Sequence, residues 1–91
     1  MIKGYARVST DGQTLDAQET ALRAAGAEKV FAEKISGARR DRPALERCLG
    51  SLERGDTALV TKLDRLARST RDLLNVLALI TDFGGELQVA G

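Results

Sequence analysis

The sequence predicts an α/β fold, a three-layer sandwich built around a mainly parallel sheet of four to five strands. Three observations lead there. Apolar, β-prone segments alternate with segments of helical periodicity along all 91 residues. The segment from Thr57 to Leu63 is a near-continuous apolar run, as expected of a strand covered on both faces. Glycines such as Gly26, Gly55 and Gly84-Gly85 punctuate the changes of period. Alternating βα units favour parallel strands joined by right-handed crossovers, with helices on both faces.

Ile2 to Val8 reads as the first strand, with Gly4 its one weak point. A helix is expected from about Gln13 to Ala25, stopped by Gly26 and opened by Thr10 and Gln13 at the spacing of a capping box. Glu28 to Glu33 reads as a short second strand. Ser36 to Arg42 is a polar, basic loop hinged at Gly37, after which Asp41 is expected to cap a helix with Pro43 in its first turn, ending at Gly55. Thr57 to Leu63 is the third strand. A further helix spans about Ser69 to Phe83, and Leu87 to Ala90 reads as a fourth strand. Leu73, Leu74, Val76, Leu77, Leu79, Ile80 and Phe83 cover well over half of that last helix, whereas a helix lying on a sheet needs a stripe of roughly 100°. A larger core or a partner is expected over the remainder, around Leu73, Leu77 and Ile80.

A chain of this size is one domain. Its 43% hydrophobic and 30% charged content suits a globular protein. No apolar run approaches a membrane span, and a cytoplasmic, nucleoid-associated location is expected. Cys48 is the single cysteine and falls on the stripe Leu45, Cys48, Leu49, Leu52, the place of a small core residue. With no histidine in the chain, a Ser-His triad is excluded and most zinc sites with it. No metal and no cofactor is expected. A net charge of +1 does not mark a nucleic-acid binder. Arginine far outnumbers lysine, however, and its planar fork binds phosphate oxygens in pairs.

The informative residues cluster at strand ends. In parallel α/β sheets ligands sit beyond the carboxyl ends of the strands, where Tyr5-Ala6-Arg7-Val8-Ser9-Thr10 places an arginine and a serine two residues apart and on one side. The third strand leads into Asp64-Arg65-Leu66-Ala67-Arg68; a helical turn there would put Arg65 and Arg68 on one face. A serine amid guanidinium groups is a phosphate-chemistry arrangement. Each residue also has a plainer reading. Ser9 could be a turn serine, and Gln13 a cap. Gln18 is either bonded internally or aimed at the site. Arg65 and Arg68 could form a solvated cationic turn with Asp64 or Asp72 as surface partners worth well under ~1 kcal/mol. Glu33 is either a strand-edge charge or an orienter of arginines, and Arg39, Arg40 and Arg42 lie in or beside a loop expected to be mobile, so that Arg42 should be the least well placed.

Read together, Tyr5 to Thr10, Gln13, Leu15-Asp16-Ala17-Gln18, Ser36-Gly37, Asp41-Arg42-Pro43, Gly55-Asp56 and Lys62 to Arg68 resemble the resolvase/invertase family of serine recombinases. Glu33 stands where many members carry Asp. The resemblance implies a resolvase-like catalytic domain in which Ser9 attacks a DNA phosphodiester, joins the 5′ phosphate and frees a 3′ hydroxyl. It also implies that Arg7, Arg42, Arg65 and Arg68 surround the phosphate, with Gln13, Gln18, Asp64 and Glu33 in support. The partners implied are double-stranded DNA at a recombination site and further copies of the protein, as a homodimer or tetramer. Residues 1–91 correspond to the front part of that catalytic domain. The family's long dimerisation helix and C-terminal DNA-binding domain are absent from this sequence, so the chain alone is expected to be inactive. A non-catalytic module that pairs with intact recombinases is the alternative. A metal-dependent receiver or nuclease of similar fold would need an acidic cluster after the first strand.

Overall fold

The computed structural model describes residues 1–8, 15–35, 42–67 and 69–90. Four parallel strands form one sheet in the order β2-β1-β3-β4: β1 (Ile2–Val8), β2 (Lys29–Lys34), β3 (Thr57–Val60) and β4 (Glu86–Val89). The helices are α1 (Leu15–Ala24), α2 (Pro43–Gly50), α3 (Leu63–Leu66) and α4 (Thr70–Asp82). The alternation read from the sequence is present throughout.

The period-2 rule sorts β1 into two faces. Ala6 packs with Leu22 of α1, Ala27 and Leu59 on one side. Tyr5 packs on the other with Ala44, Leu45, Cys48 and Leu49 of α2, Leu66 of α3, and Val76 and Ile80 of α4. The sheet is therefore the middle of three layers. Gly4 is required by that packing. A Cβ there would stand 3.1 Å from Leu22 Cδ1 and 3.4 Å from Ala27 Cβ. Its missing side chain is what lets α1 lie close on the central strand.

Four expectations need correction. The third strand ends at Val60, not Leu63; Lys62 is extended and caps α3, which Leu63 begins. The helix expected to run to Gly55 stops at Gly50, with Ser51 as its C-cap donating from Oγ to the Cys48 carbonyl at 2.7 Å. The residues up to Asp56 form a turn, closed where Glu53 N donates to Asp56 Oδ2 at 2.9 Å. The uncovered part of α4 is displaced from that predicted: Ile80 is buried and Leu73 and Leu77 are half-buried, while Leu74, Leu79 and Phe83 are exposed. Finally, the helical turn expected after the third strand is short: α3 stops at Leu66 and Ala67 is extended. Arg68 itself lies outside the described residues, as do Ser9, Gln13, Arg39, Arg40 and Asp41.

Candidate active site

β1 outruns β3. Its pairing with β3 covers Ile2 to Gly4, whereas its pairing with β2 continues from Lys3 to Val8. In a parallel sheet alternate residues bond opposite neighbours, and Met1 O meets Thr57 N of β3 while Val8 O meets Ile35 N next to β2. Arg7 shares the parity of Met1, so its backbone faces the side where β3 has ended. Gln18 of α1 fills that place: its Nε2 donates to the Arg7 carbonyl at 2.8 Å and its Oε1 accepts from the Arg7 amide at 3.2 Å. The side-chain amide of Gln18 replaces a missing ladder partner. It is bonded internally, the first of its two readings.

The Arg7 side chain is almost wholly buried at 6% exposure. Its Nη2 donates to the Asp64 carbonyl at 2.8 Å, Nε to the Arg65 carbonyl at 3.3 Å and Nη1 to the Ile35 carbonyl at 3.4 Å. Arg42 is equally buried, at 6%. Its Nη1 donates to the Leu66 carbonyl at 2.8 Å and its Nη2 to Asp72 Oδ2 at 3.0 Å. Arg42, expected to be the least well placed, is held at both prongs of its fork by α3 and α4. Residues 64, 65 and 66 are nearly the whole of α3, whose terminal carbonyls have no partner within the helix. Two guanidinium groups cap them.

Arg65 differs. Its Nε is buried and has no hydrogen-bond partner among the described residues. The Asp64 Oδ1 is 3.9 Å away, on a side chain 75% exposed. A buried donor left unbonded costs about 1–3 kcal/mol, and such a group at a strand's carboxyl end points to a missing acceptor. An open cleft of about 250 Å³ lies where α3 meets α4, lined by Leu63, Asp64, Ala67, Ser69, Thr70 and Leu73 and not by Arg65.

Among the described residues, Glu33 reaches the amides that follow Arg42 and not an arginine side chain. Its Oε1 accepts from Ala44 N at 3.0 Å, and its Oε2 accepts from Leu45 N at 3.2 Å and from the Tyr5 hydroxyl. The N-cap residue of α2, Arg42, makes no side-chain cap. Glu33 caps that helix from β2, where a carboxylate also suits the helix dipole. Burial, then the Glu33 hydrogen bond, pushes the Tyr5 phenol well above its ordinary value. Sequence reasoning misses Tyr5 as a polar residue because its ring reads as core. Asp72, expected as a surface partner of Arg65 or Arg68, accepts from Arg42; Arg68 lies outside the described residues. The spacing of Ser69 and Asp72 carried a signal, for Asp72 N donates to Ser69 Oγ at 3.1 Å as in a capped helix start. Among the described residues no three His, Cys, Asp or Glu side chains are grouped as a metal site would need, and no helix is long and apolar enough to cross a membrane.

The α/β domain thus carries two buried arginines and one unbonded guanidinium nitrogen near the carboxyl edge of its central strands. The family model described as the resolvase N-terminal domain matches residues 2–91, and the chain belongs to that family. It is 48% identical over 84 residues to the serine recombinase gin of Escherichia phage Mu, covering 92% of this chain and 44% of that protein. It is also 48% identical over 82 residues to the Tn917 transposon resolvase of Enterococcus faecalis, covering 90% and 45%. The chain thus spans less than half the length of these curated relatives. Among solved structures, the C-terminal catalytic domain of the IS1535 TnpA serine recombinase matches with a TM-score of 0.74 and 30% identity, over 99% of this chain and 70% of that one. The corresponding domain of ISC1926 TnpA has a TM-score of 0.83 at 23% identity, over 99% and 67%, a likeness of fold.

Proposed function

We propose that this chain is the catalytic part of a site-specific DNA recombinase in which Ser9 is the nucleophile. The observation that carries the reading is the unbonded Nε of Arg65, on the short helix whose backbone carbonyls are held by Arg7, from the strand that leads to Ser9, and by Arg42. In the reaction the Ser9 oxygen forms a bond to phosphorus, the bond from phosphorus to the 3′ oxygen breaks, and the serine proton is lost as the 3′ hydroxyl gains one. One phosphoester replaces another, so no ATP is needed and the step reverses to reseal the strand. Charge spreading over the phosphoryl oxygens would be stabilised by fixed guanidinium groups; in the strongest examples arginine fingers contribute ~10³–10⁵ in rate. Arg65 supplies the open donor. Arg68 and Gln13 join the site on the strength of the family motif. Double-stranded DNA is the substrate, and the exposed Leu79 of α4 with Phe83 just beyond it is a surface on which another copy would pack.

The test joins residues 1–91 to the remainder of the phage Mu relative and presents its DNA site. The fusion should form a covalent protein–DNA adduct on a denaturing gel, with or without EDTA. Ser9→Ala should abolish the adduct and leave DNA binding intact. An adduct that persists in that variant would overturn the assignment.

A further inference from the structure

We propose that Asp72 is a positioning residue of this site: through Arg42 it fixes the carboxyl end of α3 and so where Arg65 stands. The inference rests on the proposed role of Arg65 as a phosphate donor.

α3 cannot hold its own shape. A four-residue helix has barely passed nucleation, its N-cap Lys62 makes no side-chain cap, and Ala67 beyond it is extended. Its internal bonds are few, with Arg65 N donating to Lys62 O at 3.1 Å and Ala67 N to Leu63 O at 3.0 Å. External donors must fix the rest. Arg7 takes the carbonyls of residues 64 and 65, and Arg42 takes that of residue 66.

Arg42 needs orientation in turn. A guanidinium reaching one carbonyl can pivot about it, and burying that charge beside neutral groups alone is costly. Asp72 holds the second prong at 3.0 Å. Its own backbone is pinned by the Ser69 cap in the first turn of α4. The Arg42 backbone is tied just as firmly, since Glu33 caps the next two amides of α2. The strap Asp72–Arg42–Leu66 thus joins α4 and α2 to the one short helix that carries Arg65. A purely structural ion pair would stabilise the whole domain; a strap of this design should act at α3 first.

The experiment uses the 91-residue chain labelled with ¹⁵N. Amide exchange is followed at Arg65 and Ala67, against core amides such as Leu59, in wild type, D72A, D72N and R71A. The Arg65 Nε–H resonance is followed while inorganic phosphate is added. Because Asp72 is about one-fifth exposed, D72A should speed exchange at the two α3 amides by about tenfold while the core keeps its protection. D72N keeps an oxygen acceptor and should have a smaller effect, and R71A, an exposed neighbour in the same turn, none. The phosphate response of Arg65 should vanish in D72A and return in part in D72N. If D72A does not fold, D72N carries the test alone. Exchange and phosphate response unchanged in both Asp72 variants would overturn the inference, as would exchange accelerated evenly through the sheet. If phosphate leaves Arg65 untouched in wild type while α3 alone loosens in D72A, the phosphate reading falls and the strap stands.

Discussion

The two ends of β1 hold a buried cation through different acceptors among the described residues. At the amino end, Lys3 is 7% exposed and its ammonium lies 2.9 Å from Asp56 Oδ2, with the Ser51 carbonyl as a further acceptor. Asp56 also takes the Met1 amino group at 3.1 Å and the Glu53 amide at 2.9 Å. At the carboxyl end, four residues along on the same face, the Arg7 fork donates to three backbone carbonyls among the described residues. A carboxylate orients a cation and cancels its charge, whereas a carbonyl orients it and leaves the charge in place. The first arrangement serves folding. The second relies on the backbone itself for orientation, and Arg42, with one carbonyl and one carboxylate among the described residues, combines both.

That contrast can be broken at either end, and the largest effect should come from Arg7. In the recombinase fusion, Arg7→Met should slow adduct formation by about a thousandfold or more, the loss expected when a transition-state cation is removed. Lys3→Met should leave the rate of the folded protein within about threefold, since its charge is spent locally. Equal losses would show that the amino-end pair also reaches the site. Arg65→Lys keeps the charge and loses the fork, so a rate cut by at least about tenfold is expected; an unchanged rate would reduce Arg65 to general positive potential.

The next effect is on stability and concerns acid. The hydrogen bonds from Lys3, then from the Glu53 amide and the Met1 amino group, hold the Asp56 carboxyl well below its ordinary value of 3.8. A carboxyl whose folded value is depressed binds fewer protons in the native state, so its stabilisation is complete above pH 3.8 and declines as pH falls below it. Denaturant titrations from pH 2.5 to 7 should show Asp56→Asn less stable near neutrality, with the difference shrinking toward the acid end. A constant difference would mean that packing, not charge, is what Asp56 provides. Removing both charges in Lys3→Met/Asp56→Leu should recover much of the loss, because a buried pair replaced by apolar side chains is often nearly neutral.

The smallest effect tests how tightly the amino end is closed. Burial pushes the Cys48 thiol up to about 11. With its side chain in the core beside α2 neighbours Leu45 and Leu49, it should react with iodoacetamide at pH 8 only as fast as the domain opens. Labelling as quick as that of a free thiol would place a breach there.

How much of this was legible depends on whether a side chain or the backbone does the work. The alternation of strands and helices, the parallel sheet and the arginines at the carboxyl edge follow from residue type and period. The end of β3 does not, because Thr61-Lys62-Leu63 continues a β-prone pattern although Leu63 is 43% exposed at the start of α3. The stop at Gly50 was hidden for a similar reason: Gly55 is an equally good stop signal, and a local Ser51 bond decided between them. Least legible was what the arginines hold. A sequence displays their charge, but the carbonyls of residues 35, 64, 65 and 66 belong to every residue type alike. The same blindness hid the partners of Glu33, two backbone amides and the hydroxyl of a core tyrosine.

The early end of β3 sets a ruler for the whole site. Because β1 runs three to four residues past it, the cationic edge is a notch cut into a sheet, and a notch of this kind is measured in whole residues. One residue added to β3 would push α3 outward by about 3.3 Å and turn each later side chain to the opposite face. The carbonyls of α3 would then slide past the two forks that grip them. Strand length, a quantity with no chemistry of its own, is thus held to the single residue by the reach of Arg7 and Arg42, and insertions should be rarer between Val60 and Leu63 than in the turn from Ser51 to Asp56.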